Sequence, residues 1–307
     1  MKMKNVGKKL AQIPGSVRFN NFMQITGKTR TYAVLGQPIR HTLSPPMHNA
    51  ALHALGMDAV YLPYEVAPDQ LMEVLQAMQA MGFGGVNLTI PHKQVAFAGI
   101  AELDASAQLV GAVNTVCFTD QGLKGYSTDG YGILKAIEEA FGLSVQGQAI
   151  TVIGCGGAGR SIALVCARAG ASSITLWNRS PERAEQVASE ILDCPVHIVT
   201  DLEADATAIH ATDLLIQATS VGMKPGDPSP LPASCFRAGQ KLIDTIYVSE
   251  ETPIMQLARA SGVEAVNGLG MLLHQGVKSF EIWTGVLPPV EVMREALRET
   301  VYGKGRS

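Results

Sequence analysis

Short apolar runs alternate with longer segments of helical spacing along most of the chain. The runs TYAVLG, AVYLPYEV and GGVNLTI have the length and β-branched content that are typical of strands. The segments PPMHNAALHALG and PDQLMEVLQAMQAMG have apolar residues at helical spacing and predict two helices. We expect the methionines of the second segment, Met72, Met78 and Met81, to fill the core.

A second series of apolar runs and helical segments follows a predicted hairpin in the middle of the chain. Around Asp120–Gly122 the pattern predicts two strands joined as a hairpin, followed by a helix from about Tyr131. Six apolar runs with helical segments between several of them then follow: QAITVIG, SSITLWNR, CPVHIV, DLLIQAT, KLIDTIY and EAVNG. This alternation predicts an α/β protein with a mainly parallel, doubly wound sheet in its second half. The domain boundary is expected near residues 125–130.

The stretch GFGGVNLTIPHK, residues 82 to 93, directs several polar groups to one place. Because residues two apart on a strand share a face, Asn87 and Thr89 are predicted to point together, opposite Leu88 and Ile90. Lys93 follows just after the strand. A lysine beside a carbonyl group can donate a proton as hydride arrives at the carbon, or accept one in the reverse direction. The alternative is an ordinary surface lysine.

A carboxylate and an amide are predicted partners for this lysine. Asp129 stands in GYSTDGYG, at a glycine-flanked turn near the expected domain boundary, and its alternative role is that of a helix N-cap. Asn114, in GAVNTV, lies among small apolar residues, where a buried amide must find hydrogen-bonding partners.

Further polar residues stand where structure alone does not require them. Thr42 and Ser44, in the proline-rich loop RHTLSPP, are suited to binding a small carboxylate, although Ser44 also fits the start of a helix. Asp244 and Tyr247 end a strand, where open α/β sheets bind ligands. Gln275 lies on a segment of helical spacing, and the pattern alone places it in solvent.

The sequence ITVIGCGGAGR, residues 150–160, predicts a phosphate-binding turn. Gly154, Gly156 and Gly159 form a G-x-G-x-x-G motif that follows an apolar strand and opens a helix. Such glycines let the backbone approach a pyrophosphate, and the helix N-terminus supplies free N–H groups. A purely structural turn is the alternative.

The next strand favours NADP(H) over NAD(H). NAD sites carry an acidic residue about 20 residues after the glycines, whereas this chain has WNRSPERA, with Asn178, Arg179, Ser180 and Arg183. An arginine can pair with a 2′-phosphate through two hydrogen bonds. In the alternative, both arginines belong to a solvated face. The seven histidines show no metal-ligand spacing, so no metal is predicted.

Composition excludes several classes of function. The net charge of −3 argues against non-specific nucleic-acid binding. The sequence has no run of about 18 apolar residues, the length that would predict a membrane span. The five cysteines form no C-x-x-C pair and fit free thiols in a reducing cytosol, so a cytoplasmic location is expected. Residues 1–27 contain four lysines, one arginine and no acidic residue. We interpret them as a basic extension, with an organelle-targeting segment as the alternative.

Nine segments in order closely resemble the shikimate dehydrogenase family, whose members reversibly reduce 3-dehydroshikimate with NADPH. The segments are GQPIRHTLSPPMHN, NLTIPHK, GAVNT, STDG, GCGGAGR, NRSPERA, ATSVGM, DTIY and GLGMLLHQ. The resemblance implies a substrate domain, residues 28–128 plus 267–307, and a Rossmann-type NADP domain, residues 129–266. The C-terminal helices would pack back on the first domain. The implied partner is a small-molecule substrate, without nucleic acid or membrane, and a homodimer is compatible with it.

The resemblance also implies a role for each matching residue. Lys93 and Asp129 would be the catalytic pair, with Lys93 as the acid/base. The substrate carboxylate would be bound by Thr42, Ser44 and Tyr247. The ring hydroxyls would be bound by Asn87, Thr89, Asn114, Asp129 and Gln275. The cofactor would be bound by Gly154, Gly156, Gly157, Ala158, Gly159, Asn178, Arg179, Ser180, Arg183, Thr219, Met223, Gly268 and Met271.

Two positions depart from the family pattern. Thr42 replaces the usual serine of HSLSP and adds a methyl group at the carboxylate end, and Ser127 replaces the usual asparagine of NTDG. A quinate/shikimate or aminoshikimate dehydrogenase is therefore the near alternative, since quinate has an extra hydroxyl on the carbon that bears its carboxylate. A non-catalytic NADPH-binding regulator is a remote alternative, because such a protein is expected to lack the lysine or the aspartate.

Overall fold

The computed structural model describes residues 25–303, which form two six-stranded sheets with helices on their faces. Most of the basic extension predicted for residues 1–27 lies outside the described residues. No helix within residues 25–303 is both long and apolar enough to cross a membrane. The two sheets correspond to the two series of apolar runs in the sequence.

The first sheet is mixed and has the order β2-β1-β3-β5-β6-β4. Its strands are β1 (Arg30–Gly36), β2 (Ala59–Glu65), β3 (Gly85–Leu88), β4 (Glu102–Leu103), β5 (Thr115–Thr119) and β6 (Gly122–Tyr126). Strands β1, β2 and β3 are parallel, whereas β5 runs antiparallel to both β3 and β6. The predicted hairpin is therefore confirmed. Pro63 lies on the edge strand β2, where its missing N–H costs no hydrogen bond within the sheet.

Six helices accompany the first sheet. They are α1 (Ser44–Ala54), α2 (Leu71–Ala80), α3 (His92–Gly99) and α4 (Ala105–Val110), together with α10 (Leu269–Thr284) and α11 (Val290–Tyr302) from the end of the chain. Trp283 of α10 donates its indole N–H to the carbonyl of Val116 on β5, at 3.0 Å. The predicted return of the C-terminal helices to the first domain is thus confirmed.

The second sheet is entirely parallel and has the order β12-β11-β10-β7-β8-β9. Its strands are β7 (Ala149–Ile153), β8 (Ser173–Trp177), β9 (Val196–Val199), β10 (Leu214–Gln217), β11 (Lys241–Asp244) and β12 (Glu264–Asn267). Its helices are α5 (Asp129–Phe141), α6 (Gly157–Arg168), α7 (Pro181–Glu190), α8 (Ala206–His210) and α9 (Pro253–Ala260). The order reverses between β7 and β10, and doubly wound sheets bind nucleotides at that position.

Both sheets are buried on two faces, as parallel strands covered by helices require. Along β1, Tyr32 and Val34 pack on the face that α10 and α11 cover, whereas Ala33 and Leu35 pack on the opposite face. The alternation follows from the two-residue period of a strand.

The helix predicted from about Tyr131 is confirmed as α5, which begins slightly earlier, at Asp129. Two local predictions were wrong. Met81 follows the last turn of α2 and is 67% exposed, so it does not fill the core. Strand β3 ends at Leu88, and Ile90 is 75% exposed instead of lying on the apolar face with Leu88. Pro91 stops the extended pattern earlier than the alternation of residue types suggested.

Candidate functional site

Lys93 and Asp129 form an ion pair at one end of the first sheet. Lys93 is in the first turn of α3, directly after β3, and Asp129 is the first residue of α5. Their Nζ and Oδ2 atoms are 2.6 Å apart, and the side chains are 31% and 22% exposed. The ammonium group is therefore held in place but still reachable by a small molecule.

Asn114 holds the other oxygen of this carboxylate. Its Nδ2 donates to Asp129 Oδ1 at 2.9 Å, while its Oδ1 accepts the backbone N–H of Thr128 at 2.8 Å. Because a backbone N–H can only donate, the second bond fixes which end of the amide faces Asp129. The N-cap alternative for Asp129 was wrong, since its carboxylate contacts Lys93 and Asn114 and Thr128 occupies the N-cap position.

Asn87 is more deeply buried than this pair, and its amide forms hydrogen bonds with other protein groups. The residue is only 6% exposed. Its Oδ1 accepts the Tyr61 hydroxyl at 2.8 Å, and its Nδ2 contacts Thr115 Oγ1 at 3.0 Å and Ser279 Oγ at 2.9 Å. Thr89 lies beyond the end of β3 and is only partly buried, so the two residues differ in their access to solvent.

Thr42 and Ser44 lie at the start of α1. Ser44 is the first helical residue and is 9% exposed, so its predicted fit to a helix start is confirmed. The backbone N–H of Ser44 points at Thr42 Oγ1, at 3.4 Å. Both hydroxyl-bearing residues thus occupy the same short turn, which the resemblance assigns to a carboxylate.

Gln275 is buried, and its placement in solvent from the sequence pattern was wrong. It is 9% exposed on α10, and its Nε2 donates to the carbonyl of Leu272 at 2.8 Å. The cause is a close crossing of α10 and α5 at Gly132. A Cβ added there would lie 2.7 Å from the carbonyl oxygen of Met271 and 3.0 Å from the Cβ of Gln275. This crossing brings α10 beside the helix that begins with Asp129.

Tyr247 lies on the loop that follows β11. Burial raises the pKa of its hydroxyl, which therefore stays protonated at neutral pH. The fully buried Asp244 carboxylate anchors the start of this loop, because it accepts Ile246 N–H at 3.0 Å and the Thr252 hydroxyl at 2.6 Å. Burial raises the pKa of Asp244 to about 6. Asp244 is thus a support of the loop and does not face an open site.

The glycine-rich turn joins β7 to α6 at the switch point of the second sheet. Gly154 has φ +96°, a conformation that disfavours other residues, and a Cβ there would lie 2.5 Å from Thr219 Cγ2. A Cβ at Gly159 would lie 1.7 Å from the carbonyl oxygen of Gly154. By contrast, no described atom lies within 4 Å of a Cβ built at Gly156 or Gly157. Open space beside free N–H groups at a helix start fits a pyrophosphate.

The residues that follow β8 have the charge and exposure expected for a 2′-phosphate site. Asn178 Oδ1 accepts the backbone N–H of Cys155 at 2.9 Å and so ties this strand end to the glycine-rich turn. Arg179, Ser180 and Arg183 are exposed, and within residues 25–303 neither arginine forms an ion pair. In the part of the chain that the structure describes, a phosphate would therefore have no carboxylate to displace from these guanidinium groups.

The remaining residues predicted to bind the cofactor differ from one another in their exposure and in their contacts. Thr219 follows β10 opposite Gly154, and Met223 is 51% exposed on the same loop. Gly268 is required by packing, because a Cβ there would lie 2.2 Å from the carbonyl oxygen of Thr245. Met271 is partly buried against the core of the second sheet. Nothing in these contacts identifies Gly268 or Met271 as a ligand.

The described part of the chain contains no group of three or more His, Cys, Asp or Glu residues that could hold a metal ion. The five cysteines are free, and burial raises the pKa of Cys155 and Cys235 to about 11 and of Cys166 to about 12. Thiols with such pKa values are poor nucleophiles at neutral pH.

The sequence did not identify Tyr61 or Ser279, which complete the buried network around Asn87. Tyr61 is on an edge strand with an ordinary apolar pattern, and Ser279 is 192 residues away from Asn87 along the chain. A weak signal existed for Ser279, since a small polar residue on the apolar face of α10 requires a buried partner.

Three family models match the chain in succession. Residues 34–116 match the shikimate dehydrogenase substrate binding domain. Residues 135–223 match the family described as shikimate / quinate 5-dehydrogenase, and residues 268–298 match the shikimate 5′-dehydrogenase C-terminal domain. The matched ranges include Lys93, the glycine-rich turn and Gln275.

Full-length relatives are similar over nearly the whole chain. The shikimate dehydrogenase (NADP(+)) of Moorella thermoacetica is 41% identical over 285 residues, which are 91% of this chain and 96% of that protein. The crystal structure of shikimate 5-dehydrogenase from Listeria monocytogenes in complex with shikimate and NAD has a TM-score of 0.85 at 37% identity, covering 91% of this chain and 99% of that one. The Thermus thermophilus enzyme in complex with NADP(H) and shikimate has a TM-score of 0.78 at 38% identity, covering 88% and 99%.

Proposed function

The chain belongs to the shikimate dehydrogenase family, and on that premise we propose that it interconverts 3-dehydroshikimate and shikimate with NADP(H), with Lys93 as the acid/base. The observation that carries the proposal is the Lys93–Asp129 ion pair, which Asn114 orients and which remains partly exposed. In reduction, the Lys93 ammonium donates a proton to the carbonyl oxygen of the substrate. In oxidation, the neutral amine accepts the hydroxyl proton.

The residues after β7 and β8 fit NADP(H), which supplies or accepts the hydride when bound. Gly156 and Gly157 leave room beside the first N–H groups of α6 for the pyrophosphate. Arg179 and Arg183 offer exposed guanidinium groups for the 2′-phosphate. The proposed cofactor-facing set also includes Ala158, Asn178, Ser180, Thr219, Met223, Gly268 and Met271.

The substrate would lie between the start of α1 and the Lys93–Asp129 pair. We assign its carboxylate to Thr42, Ser44 and Tyr247, three hydroxyl groups that donate without adding charge. We assign its ring hydroxyls to Thr89, Asn114 and Gln275, with Asn87 behind them. These are donor and acceptor groups at both ends of a polyhydroxylated ring, and such a set discriminates against substrates that lack the hydroxyls.

We propose the predicted domain division on the same basis. The strands of the first sheet lie between Arg30 and Tyr126, and those of the second between Ala149 and Asn267. The division into residues 28–128 plus 267–307 and residues 129–266 separates the two sheets except at Asn267, the last residue of β12, which it assigns to the first domain. The catalytic pair spans the proposed boundary, because Lys93 lies in the first domain and Asp129 is the first residue of the second.

A quinate/shikimate dehydrogenase is the second candidate function, and Thr42 is the residue that favours it. On the assignment proposed here, its methyl group would lie at the carboxylate end of the substrate, where quinate and shikimate differ. The non-catalytic regulator loses support, because the lysine and aspartate that it should lack are present and paired.

The test is a spectrophotometric assay of the purified protein with shikimate or quinate and with NADP⁺ or NAD⁺. We expect shikimate with NADP⁺ to give the highest kcat/KM. Preference for quinate would favour the second candidate, and preference for NAD⁺ would overturn the assignment of Arg179. Cofactor binding without turnover of either acid would revive the regulator.

A further inference from the structure

Tyr61 is a buried tyrosine of β2 whose hydroxyl faces the site network. It is 1% exposed, and its hydroxyl lies 2.8 Å from Asn87 Oδ1. The orientation of that amide is fixed from its other end, because Asn87 Nδ2 lies 3.2 Å from the backbone carbonyl of Asn114, which can only accept. The oxygen of the Asn87 amide therefore faces Tyr61, and the phenol must donate.

The hydrogen bonds continue from Asn87 to the catalytic pair in one direction. Asn87 Nδ2 donates to Thr115 Oγ1 at 3.0 Å, and that hydroxyl donates to Asn114 Oδ1 at 2.9 Å. Asn114 Nδ2 then donates to Asp129 Oδ1 at 2.9 Å. Each intermediate group accepts on one side and donates on the other, so the orientation of one residue constrains the next.

The surroundings keep Tyr61 protonated. Burial raises the pKa of its phenol well above the usual range, and the neighbouring Ser44 side chain opposes this rise only in part. The His48 ring stacks on the Tyr61 ring with centroids 4.3 Å apart, and burial lowers the pKa of His48 to about 3. Both rings are thus neutral at neutral pH, and the phenol remains a donor throughout the range of an enzyme assay.

We propose that Tyr61 is a positioning residue that orients the Lys93–Asp129 pair through Asn87 and Asn114. This inference rests on the proposed function, because it treats that pair as the acid/base. Within residues 25–303, Tyr61 is the one hydrogen-bond donor to Asn87 Oδ1, whereas Asn87 Nδ2 has three acceptors in reach. The oxygen end of the amide therefore depends on a single group.

If the Tyr61 hydroxyl is removed, rotation of the Asn87 amide cannot restore a complete set of hydrogen bonds. A rotated Asn87 would place its oxygen against the carbonyl oxygen of Asn114 and its NH₂ group against the ring that replaces Tyr61. Since a buried acceptor without a donor is unfavourable, we expect Asn87 to shift and the bonds to Thr115 and Asn114 to lengthen.

The experiment compares Tyr61→Phe with Tyr32→Phe in the shikimate assay. Tyr32 is the register partner of Tyr61 on β1 and is 3% exposed, so the control makes the same substitution at a buried neighbouring position. We expect Tyr61→Phe to lower kcat about tenfold, as small misplacements of reacting groups do. KM for shikimate should rise by a smaller factor, because Asn114 is only one of the groups assigned to the ring hydroxyls. Tyr32→Phe should retain kcat within about twofold. Equal kcat values for wild type and Tyr61→Phe, with only thermal stability reduced, would overturn the proposal.

A double-variant cycle separates positioning from general destabilisation. If Tyr61 acts through Asn114, Tyr61→Phe should lower kcat by less than about twofold in an Asn114→Ala background. A repeated tenfold loss in that background would show that Tyr61 acts by another route and would contradict the proposal.

A structural readout keeps the inference testable without turnover. If the wild-type protein oxidises no shikimate with NADP⁺, the proposed function fails, and the crystal structure of Tyr61→Phe decides the positioning role. Displacement of Asn114 Nδ2 from Asp129 beyond hydrogen-bonding distance would support that role. An Asn87–Asn114–Asp129 arrangement unchanged from wild type would overturn it.

Discussion

Lys93 Nζ and Asp129 Oδ2 lie 2.6 Å apart, although the two residues are 36 positions apart along the chain and lie in the first turns of different helices, α3 and α5. Partly exposed ion pairs contribute little to stability, because water and salt weaken their attraction. The buried amide of Asn114 fixes the geometry of this pair instead. The arrangement is therefore more informative about chemistry than about stability.

The glycine-rich turn predicts different effects for two alanine substitutions. Gly156→Ala should leave the free energy of unfolding within about 0.5 kcal/mol of wild type, because no described atom lies within 4 Å of the new methyl group. The same methyl group would occupy space beside the pyrophosphate, so we expect the Kd for NADPH to rise roughly 10- to 100-fold. Fluorescence titration and thermal unfolding measure the two quantities.

Gly159→Ala is the contrasting variant. Its Cβ would lie 1.7 Å from the carbonyl oxygen of Gly154, so the turn itself must move and stability should fall by about 1–3 kcal/mol or more. If Gly156→Ala bound NADPH as tightly as wild type, the pyrophosphate would not lie at this turn.

Arg179→Ala should weaken the use of NADP⁺ selectively. A hydrogen bond to a charged phosphate is worth about 1.5–3 kcal/mol, so KM for NADP⁺ should rise roughly 10- to 100-fold while KM for NAD⁺ changes about twofold or less. Arg168→Ala is the matched control, because Arg168 is an exposed arginine at the end of α6 that pairs with Asp193. If the KM values for NADP⁺ and NAD⁺ rose by the same factor, Arg179 would attract both anionic cofactors through its charge and would not bind the 2′-phosphate specifically.

Thr42→Ser should change the choice of substrate rather than the chemistry. Loss of one methyl group from a pocket is worth about 1–3 kcal/mol, so the ratio of kcat/KM for shikimate to that for quinate should change roughly 5- to 150-fold. The kcat for the preferred substrate should stay within about threefold of wild type. An unchanged ratio would show that the Thr42 methyl group does not contact the end at which the two acids differ.

Asp244 predicts a pH dependence of stability. Burial raises its pKa from 3.8 to about 6 in the folded protein, so the folded state binds more protons than the unfolded state between these values. The contribution of this group to stability is favourable at low pH and is lost as pH rises through that window, by about 2–3 kcal/mol in total. Urea unfolding from about pH 4 to pH 7 should show this fall in wild type relative to Asp244→Asn. A constant difference between the two proteins would contradict it.

The spacing of apolar residues predicted most of the fold, because strands buried on both faces are apolar throughout and strands buried on one face alternate apolar and polar residues. The parallel second sheet and its glycine-rich turn follow from runs such as ITVIG followed by helical spacing. Polar residues that interrupt apolar runs indicated Asn87 and Asn114 as candidates. In the structure Asn114 contacts Asp129, and Asn87 contacts the backbone carbonyl of Asn114.

The errors arose where packing between distant segments decides the outcome. Gln275 is buried because α10 crosses α5 at Gly132, a contact that the pattern of α10 does not encode. Tyr61 has the appearance of an ordinary strand residue, and only the assembled sheet places its hydroxyl against Asn87. Local patterns therefore predicted the elements and the polar residues Asn87 and Asn114, but neither the burial of Gln275 nor the contact of Tyr61 with Asn87.

We propose that Lys93 transfers the proton in shikimate oxidation, and this role can be measured directly. The most direct measurement is the kcat of Lys93→Ala with shikimate and NADP⁺, accompanied by shikimate binding to the same variant and by Lys135→Ala, an exposed lysine of α5, as control. We predict that kcat falls about 10²- to 10⁴-fold while the variant still folds and binds shikimate, and that the control is unaffected. Turnover by Lys93→Ala within about tenfold of wild type would contradict the assignment of Lys93 as the acid/base.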